Sequence, residues 1–215
     1  MFIGFYNLAN TVTLLGLASS VMAMFCAIQQ EHELAIVMLL FAGLCDLFDG
    51  RIARGSSTRI RREKIYGIQI DSLADIVSFG VAPAFIVYNM GFDRVTDLLL
   101  YLFFIICGAT RLAYFNTQAL SETKDLNMKH YTGIPIPFSC VMLPPLVLIA
   151  TFLKEPAVTA WIFRVFFFLV GTAYILRIRI KKAGMRFSLV VMGFEVLCVV
   201  LLIIRGIPDL LTTIT

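Results

Sequence analysis

Asp46, Asp49, Asp71 and Asp75 fall within one thirty-residue stretch of a mostly apolar chain of 215 residues. Carboxylates inside a membrane-spanning sequence are costly and are generally kept for function rather than packing. Oxygen ligands in such numbers, with no His or Cys among them, point to Mg²⁺ or Mn²⁺ rather than zinc. Mg²⁺ is typically shared between carboxylates and substrate phosphates, and two such ions could stabilise a diphosphate during an in-line displacement. An aspartate not fully committed to metal could accept the proton of an attacking hydroxyl, and Asp75, at the end of its stripe, is the candidate. The bland alternative is a set of ion pairs with Arg51, Arg54 or Arg111, but stability alone seldom justifies four acids in a membrane bundle.

The elements that must position these acids are helices. Asp46, Asp49, Gly50 and Ala53 share one stripe at 3.6 residues per turn, while Gly67, Asp71 and Asp75 recur every four residues along another. Two neighbouring helices with facing acidic stripes would enclose a pocket near one membrane surface. Gly50, Ala53 and Gly67 leave room for a ligand to approach the backbone, although tight helix packing favours the same residues.

The chain as a whole is a membrane protein by composition, with 60% hydrophobic residues and a mean hydropathy of +0.89. Seven spans are expected, at about 8–29, 33–54, 67–90, 96–116, 134–153, 157–176 and 187–205. The expected fold is therefore all-α, a polytopic membrane helix bundle forming a single domain over 1–215. The opening MFIGFYNLAN lacks the positive region of a cleavable signal peptide, so the first span is expected to remain in the protein. Basic residues cluster after the second span (Arg51, Arg54, Arg59, Arg61, Arg62, Lys64), the fourth (Lys124, Lys129) and the sixth (Arg177, Arg179, Lys181, Lys182, Arg186). The intervening connections hold only Arg94 and Lys154, which predicts a cytoplasmic N-terminus with the basic loops and acidic stripes on the cytoplasmic side. The net charge of +4 is thus a topology signal with some attraction to anionic headgroups, and nucleic-acid binding is not needed to explain it. Cys26, Cys45, Cys107, Cys140 and Cys198 all fall in spans without CxxC spacing and read as buried thiols.

Written out, the acidic stripes are D-x2-D-G-x2-A-R, a spacer, then G-x3-D-x3-D. This resembles the signature of the CDP-alcohol phosphotransferases, membrane enzymes that displace CMP from a CDP-linked lipid or alcohol. All eight signature residues are present: Asp46, Asp49, Gly50, Ala53, Arg54, Gly67, Asp71 and Asp75. The spacer, residues 55–66, is a few residues longer than is usual and strongly basic (RIRREK). The flanking DSLADIVSFGVAPAF, ATRLAYFN at 109–116, YTGIPIP at 131–137 and the N-x-x-T from Asn10 to Thr13 are similar to the serine-accepting bacterial and archaeal members.

That resemblance implies a six-helix core, about 8–176, with the span at about 187–205 as an addition. It implies two metal ions held by Asp46, Asp49, Asp71 and Asp75, with Asp75 doubling as base. Asn10, Thr13, Gly50, Ala53, Arg54 and Gly67 would contact the CDP-lipid, and the protein would be a homodimer in the cell membrane. The implied reaction joins CDP-diacylglycerol and L-serine into phosphatidylserine and CMP. Glycerol 3-phosphate or inositol phosphate could replace serine, and an archaeal ether lipid could replace the diacyl donor. A phosphorylated acceptor should need more basic residues than Arg111 supplies in the transmembrane region.

Arg111, inside the fourth span, could bind a substrate carboxylate or phosphate, or pair with a bundle aspartate. Asn116, Tyr131 and Thr132 flank the same edge and could touch the acceptor, though capping and loop bonding would also account for them. Glu195 sits in the last span with Arg164 as one possible partner. His32 and His130 share no ligand spacing and are expected at the solvated surface, and GIPIP should give the fifth span an irregular start. A transporter is the rival class, because intramembrane acids also relay protons and cations. It should spread them through the membrane or break helices in paired halves, and neither pattern is visible.

Overall fold

A computed structural model describes residues 3–55, 60–121, 130–132, 134–153, 155–177, 179–181 and 185–207, with backbone only for 121, 130–132, 179–181 and 185–189. The helices are α1 (Leu8–Ile28), α2 (His32–Gly55), α3 (Arg61–Asp75), α4 (Ala82–Asn89), α5 (Val95–Ser121), α6 (Phe138–Ala150), α7 (Pro156–Ile175) and α8 (Met185–Arg205). A π-helical stretch, Ile76–Val81, joins α3 to α4 without a break. The all-α membrane bundle expected from the sequence is thus observed.

Helix α1 begins at Asn7, whose side chain accepts from the Asn10 N–H, and ends where Gln30 takes a left-handed φ of 64°. That reversal lays α2 back along α1. Ala9, Thr13, Gly16, Ser20, Ala23 and Ala27 form the buried seam of α1. The backbones approach closely there: a Cβ on Gly16 would lie 2.9 Å from the Cys45 Cβ. On the other side of the bundle α5 packs against α7, through Tyr101 and Phe104 edge-on to Phe167 at 4.9 and 5.1 Å between ring centroids. Helix α6 lies among α2, α4, α7 and α8, and α8 rests on α2 and α6. Phe104, Phe163, Phe167, Ile36, Leu39 and Ile86 fill the apolar core, away from the end of the bundle where the acids lie.

Several expectations shift. The third helix starts at Arg61 rather than 67, so the later part of the basic spacer is helical, while residues 56–59 lie outside the described region. The fifth span shortens to the 13 residues of α6, because residues 134–137 turn before the helix begins at Phe138. Four helical segments, Leu8–Ile28, Arg61–Asn89, Val95–Leu120 and Pro156–Ile175, are long and apolar enough to cross a membrane among the described residues. Helix α2 has the length, at 24 residues, but carries Asp46, Asp49 and Arg51 in its second half. Outside the bundle, His130–Thr132 (β1) pairs antiparallel with Arg179–Lys181 (β2), Thr132 opposite Arg179. This ribbon joins distant loops, so local sequence pattern gave no sign of it.

Candidate active site

The C-terminal half of α2 and the body of α3 bring three carboxylates together. Asp46, Asp49 and Asp71 each offer an oxygen, and these atoms all lie within 4.8 Å of one another. Beyond Asp71, the two α2 acids have different neighbours. Asp49 continues the buried seam Ala35, Leu39, Ala42 and Cys45 toward α1, where the Thr13 hydroxyl donates to its Oδ2 at 2.5 Å. Asp46 stands one turn beyond Gly43, whose added Cβ would meet the Cys140 sulfur of α6 at 2.9 Å. The charges of Asp71, Asp49 and Arg54 all act on Asp46. Three acids this close in an apolar bundle repel one another strongly unless a cation or protons intervene.

Asp75 lies one helical turn beyond Asp71 and outside the three-carboxylate cluster, though within the electrostatic reach of all three acids and of Arg111. Arg54 is exposed at the end of α2 and folds back over Gly50, where a Cβ would sit 3.6 Å from its Nη1. Ala53 and Gly67 are half-buried on the flanking turns. Asn10 turns to its own chain, its amide donating to the Phe5 carbonyl at 2.7 Å and holding the N-terminal segment. Phe5 in turn packs edge-on against Tyr66 of α3. Asn116 is buried on α5 and accepts from the Ser72 hydroxyl at 2.9 Å, tying α5 to the turn that carries Asp71. The Thr132 side chain lies outside the described region; its backbone is in the ribbon.

Two expectations are corrected. Arg164 does not meet Glu195: its Nε and Nη2 donate to the two oxygens of Asp97 at 2.6 and 3.2 Å. Glu195 is buried, with neither carboxyl oxygen hydrogen-bonded. His32 is buried at the start of α2 beside Gln30 rather than on the solvated surface, because the tight α1–α2 reversal folds over it. Sequence reading also passed over Ser72, Ser78 and Ser139. A serine in an apolar helix is too common to single out without a partner, and those partners belong to other helices.

The geometry has an established family context. Residues 6–200 match the CDP-alcohol phosphatidyltransferase family model, and the chain belongs to that family. It is 35% identical over 148 residues to a CDP-diacylglycerol–serine O-phosphatidyltransferase of Saccharomyces cerevisiae, covering 66% of this chain and 48% of the relative. It is 32% identical over 142 residues to an archaetidylserine synthase of Methanothermobacter thermautotrophicus, covering 65% and 57%. A CDP-diacylglycerol–serine O-phosphatidyltransferase of Helicobacter pylori is 33% identical over 141 residues, covering 64% and 56%. The chain spans about half the length of these relatives.

Proposed function

We propose that this protein transfers a phosphatidyl group from CDP-diacylglycerol to L-serine, giving phosphatidylserine and CMP. The observation that carries the chemistry is the convergence of Asp46, Asp49 and Asp71 from two helices. The serine acceptor draws its support from the names of the relatives.

The donor set fits a divalent cation, since it is all oxygen, crowded and set in an apolar bundle. Asp46, Asp49, Asp71 and Asp75 would hold two Mg²⁺ or Mn²⁺ ions, which when bound neutralise the charge of the donor's diphosphate. Thr13 fixes the orientation of Asp49. The serine hydroxyl attacks the phosphorus bearing the diacylglycerol; a new O–P bond forms, the P–O bond to CMP breaks, and Asp75 takes the hydroxyl proton. Arg54, exposed beside Gly50, is suited to a phosphate of the CDP moiety. Arg111, whose charge acts on Asp75, would attract the serine carboxylate.

Arg54, Arg61 and Arg62 share the end of the bundle that carries the acids, which supports a cytoplasmic active site in the cell membrane. The working unit we propose is a homodimer whose six-helix core is extended by α8. The archaeal relative's name makes an ether-lipid donor the comparison to include. Purified protein with Mn²⁺ is offered CDP-diacylglycerol or its ether analogue, together with serine, glycerol 3-phosphate or inositol phosphate. CMP release with serine alone is the expected result. Release with a phosphorylated acceptor alone would move the assignment to another branch of the family.

A further inference from the structure

The helix that carries Asp71 and Asp75 changes its winding immediately after Asp75. Ile76–Val81 is π-helical, and the Ala82 N–H bonds back to the Val77 carbonyl, five residues away. A π turn fits one extra residue into the helix, so everything after it is rotated by about 100° relative to an uninterrupted α-helix. The acidic face of α3 and the buried face of α4 are thereby set independently. Without the insertion, seating Ala82, Ile86 and Val87 in the core would swing Asp75 away from the other acids.

This winding has a cost that the sequence explains. The π register closes with the Ala82 N–H, and where the α register resumes the Phe79 carbonyl falls to the N–H of residue 83, but that residue is Pro83, which has none. The Ser139 hydroxyl of α6, fully buried, donates to this carbonyl at 2.6 Å. On the opposite side Ser78 is hydrogen-bonded to Ser20 of α1 at 2.9 Å, both side chains buried. The π turn is therefore held between α1 and α6.

We propose that Ser139 is a positioning residue, whose bond to the Phe79 carbonyl fixes the register that aims Asp75 at the Asp46, Asp49 and Asp71 cluster. The inference rests on the transfer reaction for its catalytic consequence, but not for the lock itself. Ser139→Ala should lower kcat about 10- to 100-fold, the scale of an ångström-size misplacement of a reacting group. KM for the CDP-lipid should change less than about twofold, because Arg54 and the three clustered acids assigned to that substrate and its cations stay in place.

Pro83→Ala supplies the missing N–H, so the double variant Pro83→Ala, Ser139→Ala should recover at least part of the lost kcat. In amide hydrogen exchange Ser139→Ala should speed exchange at residues 79–82 and 84 relative to unaltered protein, and the double variant should slow it again. Unchanged exchange there in Ser139→Ala would overturn the lock. A kcat within about twofold of the unaltered protein would overturn the positioning role, as would a loss of kcat that the double variant fails to relieve. If the unaltered protein releases no CMP with any acceptor, the transfer reading fails, while the exchange measurement still decides the lock.

Discussion

Asp49 and Asp75 lie in similar sequence settings, yet their surroundings suit them to different work. Asp49 is buried, accepts a hydrogen bond from Thr13 and lies in the cluster with Asp46 and Asp71. Asp75 stands outside that cluster and within the field of Arg111, and the role proposed for it is to take up a proton. Asp75→Asn, which keeps the shape and removes the proposed base, should lower turnover about 10²- to 10⁴-fold with CDP-lipid binding nearly unchanged. Turnover of CMP and equilibrium binding of a CDP-lipid, measured on the same preparation, check this. Thr13→Val should raise the Mn²⁺ concentration needed for half-maximal activity about 10-fold or more, and Thr13→Ser should restore it. An unshifted Mn²⁺ titration for Thr13→Val would detach Thr13 from the metal site.

Among the elements, the α5–α7 pair bears a different kind of polar contact from the α2–α3 pair. The bidentate Arg164–Asp97 bond lies toward the end of the bundle away from the acids, where the Arg164 guanidinium also stacks over Trp161 at 5.4 Å. It fastens two helices and touches no site residue. Removing Asp97 strips a half-buried Arg164 of two charge-assisted hydrogen bonds, a loss of about 1.5–3 kcal/mol. At about 2–4 °C per kcal/mol for a chain of this size, Asp97→Ala should lower Tm by about 3–12 °C. The pair Asp97→Ala, Arg164→Ala should recover part of that shift, and kcat of the folded protein should stay close to normal in both. Thermal unfolding in detergent with parallel CMP-release assays tests both expectations.

At the scale of the whole molecule, the charge asymmetry predicts one orientation in the bilayer. Gln29, in the α1–α2 connection, and Arg62, at the start of α3, are both exposed and lie at opposite ends of the bundle. All five native cysteines are buried, so an introduced thiol reports on its own position. Gln29→Cys should react with a membrane-impermeant maleimide in intact cells, and Arg62→Cys only after permeabilisation. The reverse pattern would place the acids on the outer side, away from soluble CMP and serine pools.

The membrane bundle, the two acidic stripes and the family are legible in the chain alone, because each is written in local spacing: apolar runs, 3.6-residue periodicity and a motif confined to two neighbouring helices. Packing alone turned Asp49 to Thr13, left Asp75 outside the set of three mutually close carboxylates, and gave Arg164 to Asp97 rather than Glu195. It alone joined Ser139 to the carbonyl of Phe79, sixty residues earlier. Helix periodicity fixes which residues share a face, but the partner that meets the face is selected by packing between segments distant in the chain. The π turn lies between these levels. Pro83 marks where a backbone donor is missing, and the fold supplies the hydroxyl that replaces it.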